Sequence, residues 1–222
     1  MKKLSRENFL ENKYNRLMIA EILIIVSFPF LQAINARFPF VSMILLIAII
    51  PALSVALPLR AFLPLMALGL VSFIFEILLK YGVLDLTEKI ALFLLAMYAA
   101  FLLLAVIILI KKILSRKTVT SDTVKGGISI YFLIGLLWAI FYDIASRINP
   151  DSFVKLENKT LDFFYYSYTT LTTLGYGDIT PTGDAVKLLA ICEAFIGQIY
   201  IAIFIAQLVG LNIAQKLLKN KD

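Results

Sequence analysis

Long apolar runs separated by brief polar breaks recur along the whole 222-residue chain. A helix needs about 20 mostly apolar residues to cross the roughly 30 Å hydrocarbon layer of a bilayer. Spans of this kind are read from Leu17 to Ala36, Phe40 to Leu57, Phe62 to Leu79, Ile90 to Ile110, Gly127 to Ile144 and Ala185 to Leu211. Pro51 lies inside the second and is expected to kink it, since proline cannot donate to the helix ladder. Pro58 and Arg60 mark a tight turn before the third. The aromatic-rich stretch from Leu161 to Leu174 is too short to cross and reads as a re-entrant helix.

The pattern divides the chain into five parts. Residues 1–16 mix Lys2, Lys3, Arg6, Lys13 and Arg16 with Leu4, Phe9, Leu10 and Tyr14, which suits an amphipathic segment on the membrane surface or a disordered basic tail. A four-helix transmembrane domain is expected over 17–112, a basic linker over 113–125, a two-helix module with the re-entrant segment over 126–216, and a short tail over 217–222. The expected fold class is an all-α membrane protein with six transmembrane helices. Six spans put both ends on one side. The tails and the loops around Arg60 and after Ile110 hold fourteen of the 21 basic residues, which predicts that both termini are cytoplasmic in a cell membrane. The re-entrant segment then faces outward.

Composition narrows the function classes. Of all residues 61% are hydrophobic and 16% charged, outside the range of an ordinary soluble domain. The net charge of +6 sits at the edges of the apolar spans, so membrane topology explains it and no nucleic-acid partner is expected. Without histidine, and with Cys192 as the sole cysteine, the usual zinc and haem ligand sets and the imidazole-dependent triads are missing. No enzymatic activity and no cofactor are expected. Cys192 reads as a small buried apolar side chain. No removable signal peptide is expected at the N-terminus.

The chemistry-bearing motif is Thr172-Thr173-Leu174-Gly175-Tyr176-Gly177-Asp178, continued by Ile179-Thr180-Pro181. It resembles the signature of potassium channels, and the likeness covers about Ser129 to Leu211. The resemblance implies that the fifth span is an outer helix, Leu161 to Thr172 a pore helix, and Ala185 to Ala214 an inner helix, four copies closing around one axis. It implies K+ bound at Thr173, Leu174, Gly175 and Tyr176, with Gly177 completing the selectivity filter. K+ is then the permeant ligand, and the expected partners are three further copies of the chain and the lipid bilayer.

The residue types suit that chemistry. Rings of backbone carbonyls can replace the hydration shell of a cation without net charge. Pointing successive carbonyls one way requires alternating backbone conformations, some at positive φ, which Gly175 and Gly177 adopt without steric penalty. Leu174 and Tyr176 should turn outward, Tyr176 bracing against Tyr165 and Tyr166 of the surrounding pore helices, while the Thr173 hydroxyl adds the innermost ring. A helix ending near Thr172 would aim its negative end at the passing cation. Asp178 either attracts cations at the outer mouth or holds the filter from behind. Some relatives pair this aspartate with a pore-helix glutamate, where this chain has Thr169. Leu174 stands where valine is commoner.

Glu21, Glu76, Asp143 and Glu193 lie in or near apolar spans and each needs a partner, a proton or an interfacial position. Glu193 is expected to reach Thr169, Thr170 or a backbone group of the re-entrant helix, as a filter-stabilising residue or as a polar anchor between helices. Gly197 occupies the position of a gating hinge in many relatives, with close helix packing as the alternative. Ile201, Ile205 and Leu208, at helical spacing, are candidate pore lining.

Ile90 to Ile110 contains no lysine or arginine, so steep voltage gating is not expected. The few residues after the sixth span suggest no attached cytosolic regulatory domain. A weakly selective cation channel and, further off, a potassium-transporter subunit are the rival readings.

Overall fold

The computed structural model describes residues 13–33, 49–50, 53–54, 57–80, 88–154, 156 and 159–219. The helices are α1 (Lys13–Ala33), α2 (Leu59–Lys80), α3 (Glu88–Leu114), α4 (Ser121–Ile148), α5 (Lys159–Leu171) and α6 (Asp184–Lys219). In apolar surroundings a helix satisfies its backbone groups within itself, which is why runs of Leu, Ile, Phe and Ala adopt it. Three of the described helices are long and apolar enough to cross a membrane: Glu88–Leu114, Ser121–Ile148 and Asp184–Leu218.

Helix α1 and helix α2 lie in the first and third expected spans. The second span, with Pro51, falls mostly outside the described residues, as do residues 1–12 and 220–222. Lys13 to Arg16, read with the N-terminal segment, belong to α1.

The basic linker is shorter than its charge suggested, because helices run on past the apolar boundary into polar sequence. Lys111 and Lys112 form the last turn of α3, where they complement the negative helix end. Helix α4 starts at Ser121 because the Thr120 side chain caps it, accepting from Thr123 N at 3.2 Å, with Asp122 in the first turn. At the other end Asp143 pairs with Arg147 at 2.8 Å, and Asn149 N returns to Ala145 O. Asn149 Oδ1 then accepts from Asp151 N, opening a 3-10 turn over Pro150–Ser152.

Two short strands follow, β1 (Phe153–Val154) and β2 (Thr180–Pro181), paired antiparallel with Phe153 opposite Pro181. They were not legible in an all-helical pattern. They tie the end of α4 to the chain just before α6, and Thr182 N donates to Ser152 O at 2.9 Å beside them.

Helix α4 is the centre of the fold, contacting α1, α3, α5 and α6. Its buried residues Ile130, Leu133, Ile134 and Leu137 join Leu102, Leu109 and Ile113 of α3 and Leu17 and Ile24 of α1 in one core. Glycines let neighbours approach closely: a Cβ at Gly126 would lie 2.8 Å from Ile113 Cδ1, and one at Gly127 would overlap the Phe204 ring of α6.

Candidate functional site

Helix α5 ends at Leu171, three residues earlier than the apolar run suggested. The segment after it hangs on the final turn of the helix. Leu174 N and Gly175 N donate to Thr169 O at 2.8 and 3.1 Å, and Thr173 N donates to Thr170 O at 2.9 Å. Carbonyls that a helix end leaves open are satisfied by the very strand that follows. Thr172 Oγ1 adds a bond to Tyr168 O at 2.6 Å.

From there the backbone alternates. Thr173 has φ 59°, Gly175 φ 52° and Gly177 φ 75°. Positive φ at the glycines costs little, whereas at Thr173, a β-branched residue, it is strained. Glycine spacing pointed to Gly175 and Gly177 but held no signal for Thr173. Residues Thr172 to Asp178 are exposed in the single chain, the Leu174 and Tyr176 side chains among them.

The outer side of this segment is braced by α5. The Tyr165 and Tyr176 rings lie parallel, 3° apart in plane and 6.3 Å between centroids. The Tyr165 hydroxyl donates to Asp178 Oδ2 at 2.7 Å, and Asp178 Oδ1 accepts from Ile179 N at 3.1 Å. That acceptor pushes the Tyr165 phenol up to about 12. Within the chain Tyr166 points elsewhere. It is buried on the opposite side, edge-on to Tyr142 at 4.9 Å and to Phe153 at 5.2 Å. One helix turn cannot aim two adjacent residues at the same neighbour, and burial among aromatic rings claims Tyr166.

Glu193 is fully buried on α6 and bonds neither Thr169 nor Thr170. Ser167 Oγ lies 2.5 Å from Glu193 Oε1, and the Tyr142 hydroxyl lies 2.5 Å from Oε2. Ser167 Oγ is also 2.6 Å from Gly135 O on α4. Helices α4, α5 and α6 thus meet at one carboxyl group. Thr169 turns its hydroxyl to Tyr166 O instead, at 3.0 Å. Ser167, Tyr142 and Gly135 went unread in the sequence. The signal for Ser167 was there, since Phe163, Ser167 and Leu171 share one buried face of α5 at four-residue spacing.

Helix α6 is unbroken across Gly197. A Cβ there would stand 2.5 Å from Leu171 O and 2.9 Å from Leu171 Cδ1, so the residue lets α6 touch the end of α5. Ile201 and Ile205 are exposed in the single chain, and Leu208 packs against the core. Cys192, expected to be buried, is exposed. Glu21 is buried between α1 and α4, beside a small cavity lined also by Phe132, Phe164 and Tyr168. The Glu76 side chain lies outside the described residues.

Comparison with known proteins finds ion channels. Residues 127–213 match the model of a family described as ion channel. The chain is 38% identical over 78 residues to two pore potassium channel a of Oryza sativa subsp. japonica, covering 35% of this chain and 21% of that protein. It is 30% identical over 76 residues to a hyperpolarization-activated voltage-gated potassium channel of Methanocaldococcus jannaschii, covering 34% of each. The chain thus spans about a fifth to a third of the length of these relatives. No solved structure matches it significantly. The family match takes in most of α4, all of α5, the Thr172–Asp178 segment and most of α6, and α4 and α6 are long and apolar enough to span a membrane; the relatives are potassium channels by name.

Proposed function

We propose that the chain is one subunit of a homotetrameric, potassium-selective channel in the cell membrane, with Thr173 to Gly177 as its filter. The observation that carries this reading is the positive φ at every second residue, Thr173, Gly175 and Gly177. Such alternation turns successive carbonyls toward the same side, and four strands around an axis would then offer the oxygen rings that replace water around a cation. One chain supplies one wall, so conduction requires the oligomer.

Helix α5 supports the same reading. Its C-terminal end, and with it the negative end of its dipole, lies at the start of the filter. Ile201 and Ile205 on α6 line the inner pathway, with both termini cytoplasmic. The first helices carry no gating charges. Asp178 serves to hold the filter through Tyr165 while adding negative charge at the outer mouth.

Reconstitution into liposomes with a potassium-flux assay tests the reading. Gly175→Ala places a methyl group at φ 52°, a conformation that L side chains rarely adopt. Flux should vanish while the oligomer persists on size exclusion. Equal flux in both proteins, or a monomer that conducts, would refute the proposal. Bi-ionic reversal potentials in potassium and sodium separate a selective channel from a weakly selective one.

A further inference from the structure

We infer that Glu193 works as a neutral carboxylic acid, and that its proton completes a hydrogen-bond relay which positions the pore helix α5 between α4 and α6. The inference rests on proton counting at three short contacts. Ser167 Oγ has one hydrogen and sits 2.6 Å from Gly135 O and 2.5 Å from Glu193 Oε1. A backbone carbonyl only accepts, so the contact with Gly135 O consumes the serine proton. The contact with Oε1 then needs a hydrogen from the other side. Only a protonated Glu193 has one to give.

The Tyr142 hydroxyl donates to Oε2 at 2.5 Å, and every atom is then satisfied: Tyr142 to Glu193, Glu193 to Ser167, Ser167 to Gly135 O. With an ionised carboxylate, one of the two Ser167 contacts would set two oxygens against each other without a hydrogen. The surroundings point the same way. Among the described residues, the titratable groups that interact with Glu193 are Tyr131 and Tyr142 from α4 and Tyr166 and Tyr168 from α5, none of them a cation. A buried charge without a counter-charge is the costliest arrangement a helix bundle can hold.

The relay depends on backbone geometry. Helix α5 approaches α4 at Gly135, where a Cβ would stand 2.8 Å from Tyr168 Cε1, and this approach brings Gly135 O within reach of Ser167. Ser167 lies two residues before Thr169, whose carbonyl holds Leu174 and Gly175. Glu193 therefore acts on the filter through α5, as a positioning residue.

Two measurements test this, the second resting on the channel reading above. The infrared difference spectrum of reconstituted wild type minus Glu193→Gln at neutral pH should show a protonated carboxyl C=O band; carboxylate bands in its place would overturn the inference. In potassium flux, Glu193→Gln, whose amide can donate to Ser167 and accept from Tyr142, should match wild type. Glu193→Leu, which removes both of the residue's hydrogen bonds, should lose about tenfold or more. Loss of flux in Glu193→Gln with the oligomer intact would overturn it. Absence of flux in wild type would instead sink the channel reading, leaving the infrared result to decide the protonation state.

Discussion

Tyr165 and Asp178 are joined by a hydrogen bond of 2.7 Å that runs from α5 to the residue just past Gly177. With the parallel packing of Tyr165 on Tyr176, it ties the Tyr176–Asp178 stretch to α5 at two points. Tyr165→Phe keeps the ring and removes the donor. The expected outcome is a severalfold loss of potassium over sodium permeability in bi-ionic recordings, with the oligomer unchanged. The phenol is raised from 10.0 to about 12 in the folded protein, so its contribution is full below pH 10 and is lost as pH rises through about 12. Selectivity measured up to pH 9 should therefore be flat on account of this pair.

Gly197 separates two roles that predict different outcomes. Close packing requires Gly197→Ala to push α6 away from Leu171 O, at a cost of about 1–3 kcal/mol typical of overpacking. The thermal midpoint of the detergent-solubilised oligomer should fall. A hinge role alone would leave that midpoint in place and change open probability.

Gln207 joins α6 to the end of α3. Its Nε2 donates at 2.8 Å to Leu114 O, at the helix end, and at 3.3 Å to Ile113 O, which also accepts from Arg116 N. Gln207→Leu removes both bonds and should shift the open–closed balance by up to about tenfold, given about 0.5–1.5 kcal/mol for a net hydrogen bond. Single-channel open probability in planar bilayers measures it, and an unchanged value would mean that α3 does not bias the gate through this contact.

Voltage should act weakly. Each elementary charge moved across 100 mV yields about 2.3 kcal/mol, and α3 has no basic residue between Ile90 and Ile110. Conductance–voltage curves from reconstituted protein should show a limiting slope below about one charge per subunit.

Apolar run length and the spacing of two glycines determined much of this protein in advance. They marked membrane-crossing helices at Ile90, Gly127 and Ala185, a short helix before Thr172, and a strand that would turn to positive φ at Gly175 and Gly177. These are local properties: bilayer thickness demands a certain length, and the lack of a Cβ permits a certain backbone angle. Where helices stop was harder to see, since α3 and α6 extend into lysine-bearing sequence once the hydrogen-bond ladder is running.

Only the tertiary structure decided which polar groups meet. Glu193 needed a partner on energetic grounds alone, yet whether that partner was Thr169 or Ser167 depended on the rotation of α5 against α4 and α6. The same rotation turned Tyr166 inward among aromatic rings and Tyr165 outward to Asp178. Side-chain direction on a packed helix is set by the surfaces it must fill, and those surfaces come from residues 13 to 32 positions away in the chain.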